Sequence, residues 1–311
     1  MRAAFEALGL SVLERGWLSS NNIVFRASEV APATVVDTGY ASHAAQTVEL
    51  VRSALGGANL QRVINTHLHS DHCGGNAALQ AEWNCDVWVP VWSVDIVQRW
   101  DESSLSFAYT GQRCERFRAD GALRPGDRLA LGTSDAWQVL AAPGHDPDAM
   151  MLFEPNARVL LTADALWQNR LAIVFPELVG ESGFESVRHT LECISQLDPR
   201  FVIPGHGGAF SDVEGALRRS AALLESFERD TTKHARYAAR ALVMFRMLEL
   251  RRSTREGLIA WIACTPVYAD LRRALMATCA ADDDAAEIVD GLLAAGHLRA
   301  VPGGGDIVVL T

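Results

Sequence analysis

Residues 66–75 have the sequence Thr66-His67-Leu68-His69-Ser70-Asp71-His72-Cys73-Gly74-Gly75. This stretch places four metal-binding side chains within six residues. Imidazole nitrogens and carboxylate oxygens are ligands suited to Zn, Fe or Mn. In an extended loop, His67 and His69 point to the same side, whereas Asp71 and His72 turn away. Four such side chains do not easily serve one ion, so the spacing favours two adjacent ions.

Strand and helix patterns alternate along the first two thirds of the chain. Apolar runs predict strands over residues 8–13, 22–26, 34–37, 62–66, 86–90, 127–131, 136–141, 150–154, 159–162 and 201–203. Helical patterns cover residues 41–55, 75–82, 93–100 and 183–197. Residues 101–120 have no clear period, and we expect them to form an insertion near the mouth of the site. This alternation indicates a mixed α/β layout.

A second unit begins near Asp212. Residues 212–250 have the pattern of one long helix or two, and further helices are predicted over 254–263, 269–278 and 285–295, the first capped by Ser253. Residues 298–301 and 307–310 flank a glycine turn and predict a hairpin. We therefore predict two domains, residues 1–212 and 213–311.

Four more motifs follow strands in a fixed order. They are Asp37-Thr38-Gly39, Ala142-Pro143-Gly144-His145, Leu161-Thr162-Ala163-Asp164 and Ile203-Pro204-Gly205-His206-Gly207. With the first stretch they cover about residues 10–212, and they resemble the motifs of the metallo-β-lactamase-fold hydrolases. The resemblance implies an α+β fold, a four-layer αββα sandwich with metals at one edge of its two sheets. The helices and hairpin of the second unit resemble the C-terminal winged helix of one branch of that superfamily.

The resemblance also implies a ligand set. His67, His69 and His145 would hold one metal, and Asp71, His72 and His206 the other, with the Asp164 carboxylate bridging. The cofactors would be two divalent ions, with Zn favoured over Fe or Mn. A water between the ions would ionise and attack the substrate as a bridging hydroxide, with catalytic roles for Asp71 and Asp164.

Four other residues are weaker candidates. Asp37 would hold the stretch of residues 66–75, the ligand loop, by hydrogen bonds. A merely structural role is equally consistent with its position at the end of a strand. Residues 165–176 should overhang the metals, and there Trp167, Arg170 and Phe175 suit an apolar acyl or aryl group beside one anionic handle. Asp146 departs from the Ser or Thr that follows this His in many thioesterases of the family. It would orient His145 or repel anions.

Charge and composition limit the classes of partner that the protein is expected to bind. The net charge of −10 disfavours nucleic acid, which needs a cation for each phosphate contact. The third helix of the second unit is itself acidic, so a packing or homodimerisation module bordering the site is favoured. The absence of long apolar runs and of paired cysteine spacing among six cysteines favours a cytoplasmic protein with no membrane segment.

The sequence thus predicts a dinuclear metal-dependent hydrolase of a small acyl compound, such as a thioester or a lactone. The alternatives are an endoribonuclease of the same fold and a glyoxalase II-like thioesterase. The second is disfavoured because the tail lacks the cations expected to hold a tripeptide. A sensor that binds metal without turnover and a β-lactamase are further, weaker readings.

Overall fold

A computed structural model describes residues 1–275, 281–302 and 306–311, with only the backbone of Ala281 and Asp282. The end of the helix predicted over 269–278 and the glycine turn of the hairpin lie outside the described residues. So does the side chain of Asp282, one of the acidic residues of the third helix.

Two sheets form the centre of the N-terminal unit. The first has six strands in chain order: β1 (Leu10–Leu13), β2 (Asn22–Phe25), β3 (Thr34–Val36), β4 (Arg62–Ile64), β5 (Asp86–Pro90) and β6 (Gly121–Leu123). Strands β3 to β6 are parallel. The second sheet has the order β11-β10-β9-β8-β7: β7 (Arg128–Leu131), β8 (Ser134–Ala141), β9 (Met150–Glu154), β10 (Val159–Ala163) and β11 (Phe201–Pro204). Here only β10 and β11 are parallel.

Several α-helices accompany the two sheets. They are α1 (Arg2–Ala7), α2 (Ala44–Ala54), α3 (Ser70–Cys73), α4 (Asn76–Trp83), α5 (Val94–Arg99), α6 (Ser106–Thr110), α7 (Phe175–Leu178) and α8 (Gly183–Leu197). Most pack on the outer faces, whereas α1 places Phe5 in the core between the sheets. The sequence patterns missed α1 and β6, which are six and three residues long. Elements this short carry too few apolar positions to show a period.

Alternation along the strands produces the four layers. Val159 and Leu161 face inward into a core between the sheets, whereas Leu160 faces outward toward α8. In the first sheet, Phe25 joins the same central core and Val24 packs under the outer helices. Each such side chain, when fully buried, contributes about 1.5–3 kcal/mol. The order of layers is therefore helix, sheet, sheet, helix, as predicted.

The C-terminal region is helical with a small sheet. Its elements are α9 (Val213–Arg229), α10 (Thr231–Leu250), β12 (Arg252–Thr254), α11 (Arg255–Cys264), α12 (Pro266–Ala274), α13 (Ala281–Ala294), β13 (Leu298–Ala300) and β14 (Ile307–Leu310). The 212–250 pattern is two helices, because Asp230 ends α9 and caps α10 by accepting from Thr232 N at 3.1 Å. The cap of α11 is Thr254, which accepts from Gly257 N at 2.9 Å. Ser253 was the wrong cap, since it lies within β12 opposite Val308.

Packing divides this region in two. Helix α9 contributes Leu224 and Phe227 to the core outside the second sheet, whereas α10 to α13 share a separate apolar core. The small sheet has the order β12-β14-β13. A boundary at residues 212/213 and a winged-helix assignment both stay predictions. Within the described residues, no helix combines the length and apolar character needed to cross a bilayer.

Candidate metal centre

The site lies where strands of both sheets end. His67 and His69 follow β4, Asp164 directly follows β10, and His206 comes two residues after β11. His145 lies in the loop after β8, and Asp71 and His72 lie on α3 directly after His69, so four separate chain segments meet at one edge. The carboxyl ends of neighbouring parallel strands share one sheet edge, which is a common place for binding sites in α/β proteins. The topology therefore gathers residues that are far apart in the sequence.

Three imidazoles form the first group. His67 Nε2 lies 3.1 Å from His69 Nδ1, which lies 2.7 Å from His145 Nε2. The other nitrogen of His145, Nδ1, donates to the Ile173 carbonyl at 2.5 Å, so its Nε2 carries a lone pair. Burial lowers the pKa of His69 and of His145 to about 4, which keeps both rings neutral near pH 7. The three nitrogens therefore converge at distances suited to ligands that share one metal ion.

Asp71, His72, Asp164 and His206 form the second group. Within each group the ligand atoms lie within 4.8 Å of one another. His206 Nε2 is 3.1 Å from Asp71 Oδ2, and His72 Nε2 is 3.4 Å from Asp164 Oδ2. Among the described residues, His72 Nε2 is buried without a hydrogen-bond partner. A buried nitrogen without a partner costs free energy, and a metal ion would remove that cost.

Asp164 lies between the two groups. Its Oδ2 is 3.3 Å from His145 Nε2 in the first group and 3.4 Å from His72 Nε2 in the second. Neighbouring Gly205 leaves it room, because a Cβ there would lie 2.3 Å from Asp164 Oδ1. Ala163, just before it, has a positive φ of 46°, a conformation that is strained for alanine. The turn after β10 is thus held in a costly shape that aims this carboxylate.

Asp37 holds the ligand loop from behind. It is buried, and its Oδ2 accepts from His72 Nδ1 at 2.7 Å and from the Thr66 hydroxyl at 2.8 Å. Its Oδ1 accepts from Thr66 N at 2.9 Å. Since the Thr66 hydroxyl donates to Asp37, its oxygen accepts from His67 Nδ1, 3.1 Å away. One carboxylate therefore turns Nε2 of one histidine in each group toward the site. Despite burial, the neighbouring carboxylates raise the pKa of His72 well above its usual value, so its Nε2 would give up a proton when a metal ion binds.

The two glycines of the first stretch allow the ligand loop to pack closely. A Cβ on Gly74 would lie 2.4 Å from Ala41 N, and one on Gly75 would lie 2.5 Å from the Thr38 carbonyl oxygen. Real Cβ atoms essentially never show contacts this short. The motif needs glycine here because the backbone before α2 lies directly against the ligand loop.

Aromatic residues line the mouth. Trp167 donates from Nε1 to Asp164 Oδ1 at 3.1 Å, and its ring packs edge-on against His206. The Phe175 ring lies 4.8 Å from that of His69. Trp17, which the sequence did not single out, stacks on His206 with an interplanar angle of 5° and is 47% exposed. The Arg170 guanidinium lies over the Trp17 ring at 5.6 Å, so one cation and three aromatic rings surround the two groups.

Asp146 lies beside the first group. Its Oδ2 is 3.6 Å from His69 Nε2, the nitrogen that points away from the converging lone pairs. The sequence suggests that Asp146 orients His145 or repels anions. The structure places its carboxylate against His69, and repulsion of anions stays a prediction.

The segment predicted to overhang the metals, residues 165–176, is anchored to the C-terminal helices. His234 on α10 accepts from Val174 N at 3.0 Å, next to the Ile173 carbonyl that holds His145. Its ring is buried between Phe184 and Phe227, and burial lowers its pKa to about 4. No role could be assigned to His234 from the sequence, because its partner is a backbone amide in a distant loop.

A measurable pH dependence follows from His234. Its pKa is about 4 in the folded chain against an ordinary value of 6.5, so unfolding takes up a proton between these values. Stability is complete above pH 6.5 and falls as the pH is lowered toward 4, by up to about 3 kcal/mol from this residue. We expect His234→Gln, which keeps an acceptor but does not titrate, to show a smaller loss between pH 7 and 5.

Urea unfolding with a chelator present at every pH separates this effect from metal release. His189→Gln is the matched control, because His189 is exposed. Equal pH slopes for His234→Gln and the unmodified protein would contradict the assignment.

Two clusters of metal-binding side chains at the shared edge of a four-layer sandwich define a metallo-hydrolase type of protein. The sequence profile of the metallo-beta-lactamase superfamily matches residues 15–206, more than half of the chain, and the chain belongs to this superfamily. The fold and the two clusters together imply a dinuclear site for divalent metals. The family and the hydrolase names of the relatives support an enzyme.

Curated relatives are distant. The chain is 26% identical over 204 residues to the probable metallo-hydrolase YflN of Bacillus subtilis (strain 168), covering 58% of this chain and 77% of that protein. It is 24% identical over 165 residues to a hydroxyacylglutathione hydrolase of Rhodospirillum rubrum, covering 53% of this chain and 55% of that protein. The chain therefore spans about half the length of the second relative.

Solved structures support the fold. The metallo-beta-lactamase family protein TTHA1429 from Thermus thermophilus aligns with a TM-score of 0.58 at 18% identity, over 97% of this chain and 99% of that one. A beta-lactamase domain protein from Burkholderia ambifaria aligns at 0.54 and 20% identity, over 97% and 92%. A di-iron-bound form of TTHA1623 aligns at 0.53 and 20% identity, over 68% and 98%. The first two alignments include the C-terminal helices.

Proposed function

We propose that this protein is a dinuclear metal-dependent hydrolase of a small acyl compound, a thioester or a lactone. The observation that carries the proposal is the position of Asp164, whose Oδ2 lies within 3.4 Å of one histidine from each ligand group. The seven proposed ligands are His67, His69, Asp71, His72, His145, Asp164 and His206. Zinc is the proposed native metal, with iron or manganese as alternatives.

The metals, when bound, supply a nucleophile at neutral pH and polarise the oxygen under attack. The side chains of the protein would hold the metal ions and exclude water from them. The Asp71 carboxylate, whose side chain is 13% exposed, would accept the proton of the attacking water. The rings of Trp17, Trp167 and Phe175 would contact the acyl group and exclude water from the ligands. Arg170 beside Trp17 would bind an anionic end of the substrate.

The C-terminal region would help to close this pocket. Phe175 and Ile173 in the overhang pack against the core formed by α10 to α13. The Tyr109 hydroxyl also donates to Asp270 on α12 at 2.7 Å, which joins the 101–120 insertion to the same region. We propose that this winged-helix-like domain, residues 213–311, shapes the site. Homodimerisation through it stays a prediction.

A glutathione thioesterase is the second candidate. The hydroxyacylglutathione hydrolase of Rhodospirillum rubrum is one of several matches with that name. Lys233 is the only lysine of the chain, and it lies on α10. A pocket for the carboxylates of the tripeptide would therefore depend on arginines, Arg170 among them.

A turnover panel distinguishes the candidates. Protein with measured metal content is assayed on acyl-CoA thioesters, a hydroxyacylglutathione thioester, lactones, a chromogenic β-lactam and RNA. We expect turnover of a thioester or a lactone that is lost on chelation and restored by zinc. Activity on RNA alone would overturn the proposal and favour the endoribonuclease.

Arg170→Gln tests the anionic handle. An exposed ion pair contributes up to about 1 kcal/mol, so KM for an anionic substrate should rise by about fivefold with kcat unchanged. KM for a neutral ester or lactone should not change. Arg200→Gln is the matched control, since Arg200 lies over the Phe201 ring at the opposite end of β11. An equal rise in KM for both substrate classes would argue against a charge-reading role.

A further inference from the structure

Two cysteines meet directly behind the ligand loop. Cys73 follows His72 at the end of α3, and its Sγ lies 3.8 Å from Sγ of Cys114. Cys73 is fully buried, whereas Cys114 is half-buried and reaches solvent. Both thiols are free. The proposed hydrolase chemistry uses neither sulfur, so this contact has no role in the site described above.

The segment that carries Cys114 is held against the ligand loop. The Ser70 hydroxyl donates to Gln112 Oε1, two residues before Cys114. Arg113 N donates to the Tyr40 hydroxyl at 3.3 Å, and the Arg113 guanidinium pairs with Glu249 on α10 at 3.1 Å. Contacts on two neighbouring residues therefore keep the two sulfurs close to each other.

The Cys73 thiol is part of the ligand loop. Its Sγ lies 3.3 Å from the His69 carbonyl oxygen and 3.6 Å from that of Leu68, so the S–H hydrogen bonds to the loop that carries two proposed ligands. The same His69 carbonyl accepts from His72 N at 2.9 Å, which starts α3. Loss of the Cys73 proton would remove one of the bonds that shape this loop.

We propose that Cys73 and Cys114 are an oxidation-sensitive pair that closes to a disulfide behind the ligand loop and weakens metal retention. The sulfurs must approach from 3.8 Å to about 2.05 Å, a shift that the irregular 111–120 segment can supply. The effect on metal retention rests on the proposed ligand set, whereas the disulfide can form whichever substrate the enzyme hydrolyses.

The oxidant is a peroxide, and the electrons balance. The sulfur of half-buried Cys114 takes one oxygen from hydrogen peroxide to give a sulfenic acid and the first water. The Cys73 sulfur then attacks the Cys114 sulfur, the S–O bond breaks, and the hydroxyl leaves with the thiol proton as the second water. Two thiols lose two electrons in total, and one peroxide is reduced to two waters.

Peptide mapping tests bond formation. Metal-loaded protein is treated with graded hydrogen peroxide, alkylated, digested without reduction and analysed by mass spectrometry. We expect a linked peptide containing Cys73 and Cys114 before modification of half-buried Cys193 or exposed Cys264 is complete. If Cys193 and Cys264 are oxidised and this linked peptide never forms, the pair is not a reactive dithiol and the proposal fails.

Metal release to a chelator tests the consequence. Changes behind metal ligands typically alter metal affinity by 10–100-fold, so oxidation should speed release by about tenfold, and a phosphine reductant should reverse the effect. Cys114→Ser should release metal at the reduced rate with or without peroxide, and Cys193→Ser should behave as the unmodified protein. Equal release rates for the reduced and disulfide forms would overturn the regulatory part, whatever substrate is hydrolysed.

Discussion

Asp164→Ala is expected to lose tightly bound metal and turnover together, with kcat/KM falling by about 10³-fold or more. A bound metal pair contributes several kcal/mol to stabilising the transition state, and about 4 kcal/mol corresponds to that factor. Asp164 Oδ2 is the oxygen that lies close to histidines of both groups. Its removal would leave the imidazoles of each group without the carboxylate between them. Metal content by elemental analysis and kcat/KM on the substrate found in the panel are the two measurements.

Matched variants separate this effect from misfolding. Asp164→Asn keeps an acceptor for Trp167 Nε1, which donates to Oδ1 at 3.1 Å, and should fold while still losing metal. Asp148→Asn changes a carboxylate that bonds to Ser93 in the neighbouring loop and lies outside both groups, so it should keep its metal. Full activity in Asp164→Ala would show that this carboxylate does not bridge the site.

Those parts of the fold that depend on local patterns could be predicted from the sequence. Strands β5 and β9 and helix α8 begin and end where the patterns placed them. Strand β5 alternates, β9 is a continuous apolar run, and α8 repeats at the helical period. The four-layer order and the membership of this chain in the metallo-beta-lactamase superfamily could be predicted from motifs that lie at strand ends. Residues 101–120 have no clear period in the sequence, and in the structure the one helix there, α6, has only five residues.

Contacts between distant segments could not be predicted. Trp17 stacks on His206 only because the β1–β2 loop folds over the end of β11, and nothing near Trp17 in the sequence signals this. The bond from Val174 N to His234 and the Cys73–Cys114 contact arise in the same way. Asp146 shows the same limit, because adjacency to His145 suggested one partner and the backbone turn presents another. A sequence motif indicates which chemistry a loop can perform, whereas the packing of the fold determines which distant residues contact that loop.

Asp37→Ala is expected to have the second largest effect, on stability and on metal binding. Three buried donors, His72 Nδ1, Thr66 N and the Thr66 hydroxyl, would lose their acceptor. Each unsatisfied buried donor costs about 1–3 kcal/mol, so we expect a loss of about 4 kcal/mol in unfolding free energy. Asp37 also has a φ of 57°, which asparagine and aspartate tolerate better than alanine. Urea unfolding of the metal-free protein measures this loss.

Asp37→Asn separates the effect on stability from the effect on metal binding, because asparagine keeps the shape of the side chain and suits the positive φ at this position. Only one oxygen remains, so an amide NH₂ must face either Thr66 N or the shared position of His72 Nδ1 and the Thr66 hydroxyl. In the second case His72 Nδ1 becomes the acceptor and its proton moves to Nε2, which faces Asp164. Metal affinity should then fall by about 10–100-fold with a smaller loss of stability than in Asp37→Ala. Metal binding equal to that of the unmodified protein in both Asp37→Asn and Asp37→Ala would mean that Asp37 only fastens the end of β3.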